Sequence, residues 1–124
     1  MAILFQRQFV DAIREGRKTV TRRRGKRRWK VGSIHQCYTR PAFARPPGQP
    51  FARVQIVSVF FEPWPGHGCN REWDARCEGF SSWEEFLNAY TEINGVSSTG
   101  EGCWRVEFAL VTETREPALA GGTP

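Results

Sequence analysis

Between Glu15 and Glu62 the sequence has no acidic residue, although that span carries twelve lysines and arginines. From Glu62 onward the balance reverses, with eleven Asp and Glu facing four Arg. The net charge of +5 therefore understates how one-sided the charge is. A segregated positive field attracts polyanions, so nucleic acid or a nucleotide is the partner class it favours. A solvated basic surface that keeps a small protein soluble has the same composition. Also missing is any apolar run near the ~20 residues that a membrane span requires. Residues 1–5 lack the basic start and long apolar stretch of a secretory leader. These absences predict a soluble, cytoplasmic protein with no membrane partner. In that setting Cys37, Cys69, Cys77 and Cys103 are expected as free thiols. Glycine-rich phosphate loops, a serine-nucleophile elbow and a Cys–His protease arrangement are all absent. His35-x-Cys37 and His67-x-Cys69 are matching donor pairs, but the closely spaced double-cysteine knuckle of zinc sites is not there. No metal and no other cofactor is expected.

What is present fits one domain. At 124 residues, with nine Phe and five Trp, the chain can stabilise a single modest core through few but large side chains. Ile3, Leu4 and Phe5 predict a first strand. Phe5, Phe9 and Ile13 recur every four residues and predict a short helix, with Gly16 at its left-handed end. Residues 18–23 read as a strand that Gly25 breaks, and residues 26–30 as an exposed loop ending in Trp29. A strand over 33–39, a loop with four prolines over 41–50 and a strand over 51–61 follow, the last buried on both sides for part of its length. Residues 62–79 read as irregular. Ser81 with Glu84, or Ser82 with Glu85, forms a capping box for a helix to about Glu92, with Trp83, Phe86, Leu87 and Tyr90 on its buried face. Residues 103–111 are a last strand with Trp104, Val106, Phe108 and Leu110 on one face. The expected fold is α+β, a small and mostly antiparallel barrel flanked by two short helices, because closure would protect the edges of such short strands. Residues 1–111 make the domain, and 112–124, rich in Pro, Gly and Ala without periodicity, a disordered tail. Nothing fixes the oligomeric state, and a monomer is favoured.

The chain is organised around residues 16–30, G-R-K-T-V-T-R-R-R-G-K-R-R-W-K, which hold nine of its eighteen basic residues. In a strand Thr19, Thr21 and Arg23 point one way and Val20 and Arg22 the other. Lys18, leaving the Gly16 turn, can swing over the mouth that Thr21 lines. Neighbouring arginines and partial desolvation favour its neutral amine, the form a general base needs. A solvent-facing lysine beside two strand-forming threonines is the plainer alternative. Glu78, in a loop ahead of the capped helix, is either a surface carboxylate or, given partners, part of a site. Basic side chains interleaved with Trp29, and with Tyr38 and Phe43 nearby, are what phosphate contact and base stacking require. Arg22, Arg24, Lys26, Arg27, Arg28, Trp29 and Lys30 are the residues expected to serve RNA or single-stranded nucleic acid.

The pattern F-x-x-x-I-x-x-G-R-K-T-x-T-x-R, a later V-G and an E-G-F ahead of a capped helix resemble the ASCH domain family, small PUA-like β-barrels related to RNA-binding modules. The likeness spans about Ile3 to Val111. Within the family it is similar to the bacterial amidohydrolases that remove the acetyl group from N(4)-acetylcytidine. That resemblance implies a catalytic set of Lys18, Thr21 and Glu78, with Arg23 as the family arginine and Thr19 and Arg17 beside it on the substrate. The implied reaction is hydrolysis of an amide on a cytosine ring, with Thr21 either attacking or orienting water. The surplus of basic residues and the long proline loop point instead to a longer nucleic acid, bound without chemistry or cleaved as by a ribonuclease.

Overall fold

The computed structural model describes residues 2–41, 43–67, 69–95 and 102–111, so the tail expected over 112–124 lies outside the described residues. Strand β1 (Ala2–Leu4) leads through a 3-10 turn (Arg7–Phe9) into helix α1 (Val10–Arg14). Gly16 ends that helix at φ +77°, where a side chain would be strained, and turns the chain into β2 (Val20–Arg23). Strands β3 (Ile34–Tyr38) and β4 (Ala52–Glu62) flank the proline loop. Helices α2 (Arg71–Cys77) and α3 (Trp83–Asn94) precede the last strand, β5 (Cys103–Leu110).

The five strands form one sheet in the order β1-β3-β4-β5-β2, with β1 parallel to β3 and every other pair antiparallel. The α+β class stands, but the expected closed barrel does not form. The edge strands β1 and β2 have three and four residues and do not pair with each other. The contact between them is a side chain, the Arg23 Nη2 donating to the Leu4 carbonyl at 2.7 Å. The sheet is therefore open on the side where the site lies.

Both faces of the sheet are covered. On one, Ile3, Phe5, Val54, Ile56, Val106 and Phe108 form the main core with Ile13 and Trp29. On the other, Trp83, Phe86 and Tyr90 of α3 and Ala75 of α2 pack over Cys103. Strand β5 serves both, with Val106 and Phe108 facing one way and Cys103 and Arg105 the other, all buried. The capping box of α3 uses the second register. Ser82 Oγ accepts from the Glu85 N–H at 3.1 Å, while Glu85 Oε1 accepts from the Ser81 N–H at 2.9 Å.

Three expectations need correction. Residues 62–79 are not irregular throughout, because α2 lies within them. It is capped by the Asn70 side chain on the Trp73 N–H at 3.2 Å and ended by Gly79 at φ +97°. Its buried face carries Asp74 and Ala75, so it offers no apolar stripe to read. Strand β4 is not covered on both sides in its middle, where Val57 is 48% exposed next to a register shift between Ile56 and Ser58. Trp29 does not end an exposed loop; it is 6% exposed within the main core. A flat, large indole removes more apolar area from water than its arginine neighbours can, so it turns inward while they stay out.

Candidate active site

Where the sheet fails to close, a cavity of about 410 Å³ opens between the end of β1, the free edge of β2 and α3. Lys18, Thr21, Arg22, Arg23 and Glu78 all line it. Two turns of chain bring them together. The backbone N–H groups of Arg17 and Lys18 both donate to the Ala12 carbonyl, holding the Gly16 turn against α1. The Thr19 N–H donates to the Cys77 carbonyl at 2.7 Å, tying the start of β2 to the end of α2, where Glu78 follows. Gly79 is required by its φ rather than by crowding, since a Cβ there would meet Lys18 only at 3.7 Å.

Lys18 is 2% exposed and makes three hydrogen bonds through its Nζ. It donates to the Val20 carbonyl at 2.9 Å, the Glu78 carbonyl at 2.7 Å and Glu78 Oε1 at 3.0 Å. Its ammonium also sits 4.5 Å from the centre of the Phe9 ring. Three acceptors match the three donors of an ammonium, so the resting geometry is that of the charged form. Burial nevertheless holds the Lys18 pKa below its ordinary value, with Arg23 and Arg22 adding to that and the Glu78 carboxylate opposing it.

Glu78 is shared. Its Oε2 accepts from Arg22 Nη1 at 2.7 Å, leaving Oε1 to Lys18. Arg22 is buried at the centre of the network, giving its Nε to Glu62 Oε1 at 2.7 Å, and its Nη2 to Asp74 Oδ2 and, at 3.3 Å, to Glu62 Oε2. Arg105 closes the far side, bidentate on Asp74 at 2.9 and 2.8 Å. Burial works against the Arg22 charge, but Glu62 and Glu78 outweigh it and hold the guanidinium firmly protonated. Lys18, Arg22 and Arg105 thus balance Glu62, Asp74 and Glu78, three charges of each sign in one buried chain.

Thr21 Oγ1 accepts a hydrogen bond from Arg23 Nε at 3.2 Å, which leaves the hydroxyl proton free to be given away. Arg23 lies 5.0 Å from the Phe5 ring centre and 5.8 Å from that of Trp29, and makes no ion pair among the described residues.

The other expected site residues are divided between the cavity and the outer surface. Arg17 is exposed and paired with Glu15 at 2.7 Å, outside the cavity lining. Thr19 also lies outside it, its hydroxyl turned to the Cys77 thiol. Arg24 lines the cavity and donates to the Asn94 carbonyl at 3.2 Å. Lys26, Arg27, Arg28 and Lys30 are exposed. Arg22, expected on the nucleic-acid surface, is instead the buried hub, and the buried Trp29 is not available to stack on a base. The four cysteines are free thiols, and burial raises Cys37 and Cys103 to about 12. Among the described residues, no three His, Cys, Asp or Glu gather as metal ligands, and no helix is long and apolar enough to cross a membrane.

Sequence reasoning missed Glu62, Asp74 and Arg105. Glu62 and Asp74 fall in the segment read as irregular, and Arg105 on the strand face opposite Trp104, Val106 and Phe108. Their one signal was Arg105 in a mostly apolar strand, a cation whose burial requires an acidic partner that the sequence does not locate.

An open five-stranded sheet with this order, with α1 on one face and α2 and α3 on the other, defines an α+β fold, and that fold is the one of ASCH domains. The chain is similar to the crystal structure of an ASCH domain from Lactobacillus crispatus JV V101, with a TM-score of 0.65 and 15% identity, over 88% of this chain and 77% of that one. It is also similar to a DUF984 protein from Enterococcus faecalis V583, with a TM-score of 0.57 and 18% identity, over 84% and 70% of the two chains. No protein-family model matches the sequence, and no curated protein matches it.

Proposed function

We propose that the cavity hydrolyses an acyl-amide on a modified cytosine, of the N(4)-acetylcytidine kind. The observation that supports this reading is the buried Lys18–Glu78 pair at 3.0 Å on the wall that also carries Thr21. Lys18, once neutral, takes the proton of Thr21 Oγ1 or of a water beside it. The oxygen adds to the acyl carbonyl, and the developing oxyanion faces the Arg23 guanidinium. Collapse breaks the carbon–nitrogen bond. The exocyclic nitrogen leaves with a proton delivered from the Lys18 ammonium through Glu78, giving the free base and a carboxylic acid. If Thr21 is the nucleophile, water then releases the acyl group by the same steps. Burial lowers the Lys18 pKa, which is the direction a general base needs.

The test is incubation with N(4)-acetylcytidine, following cytidine by chromatography, beside Lys18→Ala and Glu78→Ala. Release by the parent and a loss of about 10²–10⁴-fold in each variant is the expected outcome. No release at enzyme concentrations near that of the substrate overturns the reading.

A second reading, binding of RNA or single-stranded DNA, is favoured by the exposed run Lys26, Arg27, Arg28 and Lys30 near the cavity, where the Arg28 charge already bears on Arg23. Salt-titrated binding, with cleavage followed on a gel, tests it.

A further inference from the structure

We propose that Arg22 is a positioning residue. Gripped from behind by Glu62 and Asp74, it holds Glu78 by Oε2 and so limits the hold that the Glu78 carboxylate has on Lys18. Its role in turnover rests on the amidohydrolase reading, but its control over Lys18 does not.

The geometry carries the argument. A carboxylate shared between a guanidinium at 2.7 Å and an ammonium at 3.0 Å divides its charge between the two. Arg22 cannot drift from this position, because three further contacts to two other carboxylates fix the orientation of its planar fork. The rest of the Lys18 surroundings is neutral or positive. Phe9 covers it from the 3-10 turn, the Val20 and Glu78 carbonyls accept from it, and Arg23 and Arg22 face it from β2. Glu78, at the end of α2, is the acidic group among the charges that act on it. Whatever loosens Arg22 therefore acts in one direction. It removes a positive charge near Lys18 and frees Glu78 to bind the ammonium more tightly, so the lysine keeps its proton longer. The residue lies at the second of the two unspecified positions of G-R-K-T-x-T-x-R, between the threonine and the arginine that the resemblance assigned.

The protein has three lysines, Lys18, Lys26 and Lys30, so the side-chain resonances of lysine-labelled protein can be followed one by one through a pH titration. Arg22→Met is the direct variant. It leaves Glu62 without its guanidinium, so the double variant Arg22→Met with Glu62→Met is made beside it, removing one buried charge of each sign together. Lys18 should titrate at higher pH in both than in the parent, with Arg22→Lys between. On N(4)-acetylcytidine, kcat at neutral pH should fall on the order of tenfold with KM little changed, and recover as the pH is raised. A purely structural role predicts no recovery at alkaline pH. A Lys18 midpoint that stays in place or moves down in a folded variant overturns the proposal. If the midpoint rises while the parent turns over no substrate, Arg22 keeps its role and the amidohydrolase reading falls.

Discussion

The two halves of the basic segment are both rich in Lys and Arg and have opposite fates. Over residues 18–23, Lys18 and Arg22 are buried, Arg23 is half-buried, and each is held by named partners. Over 26–30 every cation is exposed, and the one buried residue is Trp29. Acidic residues from distant parts of the chain make the difference. Glu62, Asp74 and Glu78 reach the first half and leave the second without an ion pair among the described residues. Local charge density sets the partner class, but a buried charge is decided by what the rest of the chain can bring to it.

The strongest way to break this comparison is Arg22→Ala, which leaves the buried Glu62 without its guanidinium, takes one partner each from Asp74 and Glu78, and should cost about 3–5 kcal/mol in urea unfolding. Arg27→Ala, five residues on, should leave the midpoint in place. An Arg22→Ala protein as stable as the parent would show that water, not the guanidinium, carries those carboxylates.

Trp29 sharpens the same point from the apolar side. Trp29→Ala should cost about 3–5 kcal/mol through the cavity it leaves. Trp29→Phe should cost far less, because the indole N–H is buried without a hydrogen-bond partner among the described residues, and losing it relieves an unmet donor. Equal losses in both variants would mean that the ring's polar edge matters.

The pH dependence separates the members of the network. Burial opposes the charge of Asp74, but Arg105 and Arg22 more than offset it and hold the carboxyl below 3.8. Its contribution is therefore complete above that value and lost as the pH falls through the lower folded-state pKa. Asp74→Asn should flatten the acid limb of a stability profile. Lys18 runs the other way. With its folded pKa below 10.5, the unfolded chain binds more protons in the window between the two values, so stability rises with pH there. Lys18→Met should then lose the rise of stability with pH across that window, while abolishing turnover.

The smallest structural effect belongs to the exposed half. Replacing Lys26, Arg27 and Arg28 together by Ala should leave the unfolding midpoint unchanged and flatten the salt dependence of RNA binding by up to about three counterions. Hydrolysis of a free nucleoside should persist in that variant. Loss of hydrolysis as well would mean that the loop belongs to the cavity.

Much of this was legible in the residues. The strand ending at Arg23, the glycine that stops the first helix, the α3 cap and the alternation of Trp104, Val106 and Phe108 are local signals, and local steric and hydrogen-bonding rules produce them. The proximity of Lys18 to the mouth lined by Thr21 follows from a short turn and a strand period. Helix α2 was hidden because its inward face carries Asp74, so the periodicity that betrays a helix was written in charge rather than in hydrocarbon. Arg22 looked like its neighbours because nothing within the segment distinguishes a guanidinium that will be buried from one that will not.

By itself the sequence determined the strands and the helices α1 and α3 in outline, which face of β5 is apolar, and that the positive charge gathers in the first half of the chain. Only the tertiary structure decided that the sheet stays open between β1 and β2, and that Glu62, Asp74 and Arg105 complete the network behind Lys18 and Glu78. The reason is range. Backbone sterics and side-chain period act over a few residues, whereas the Arg22 contacts join positions 40, 52 and 56 apart, and these exist only once the sheet and α2 have packed together.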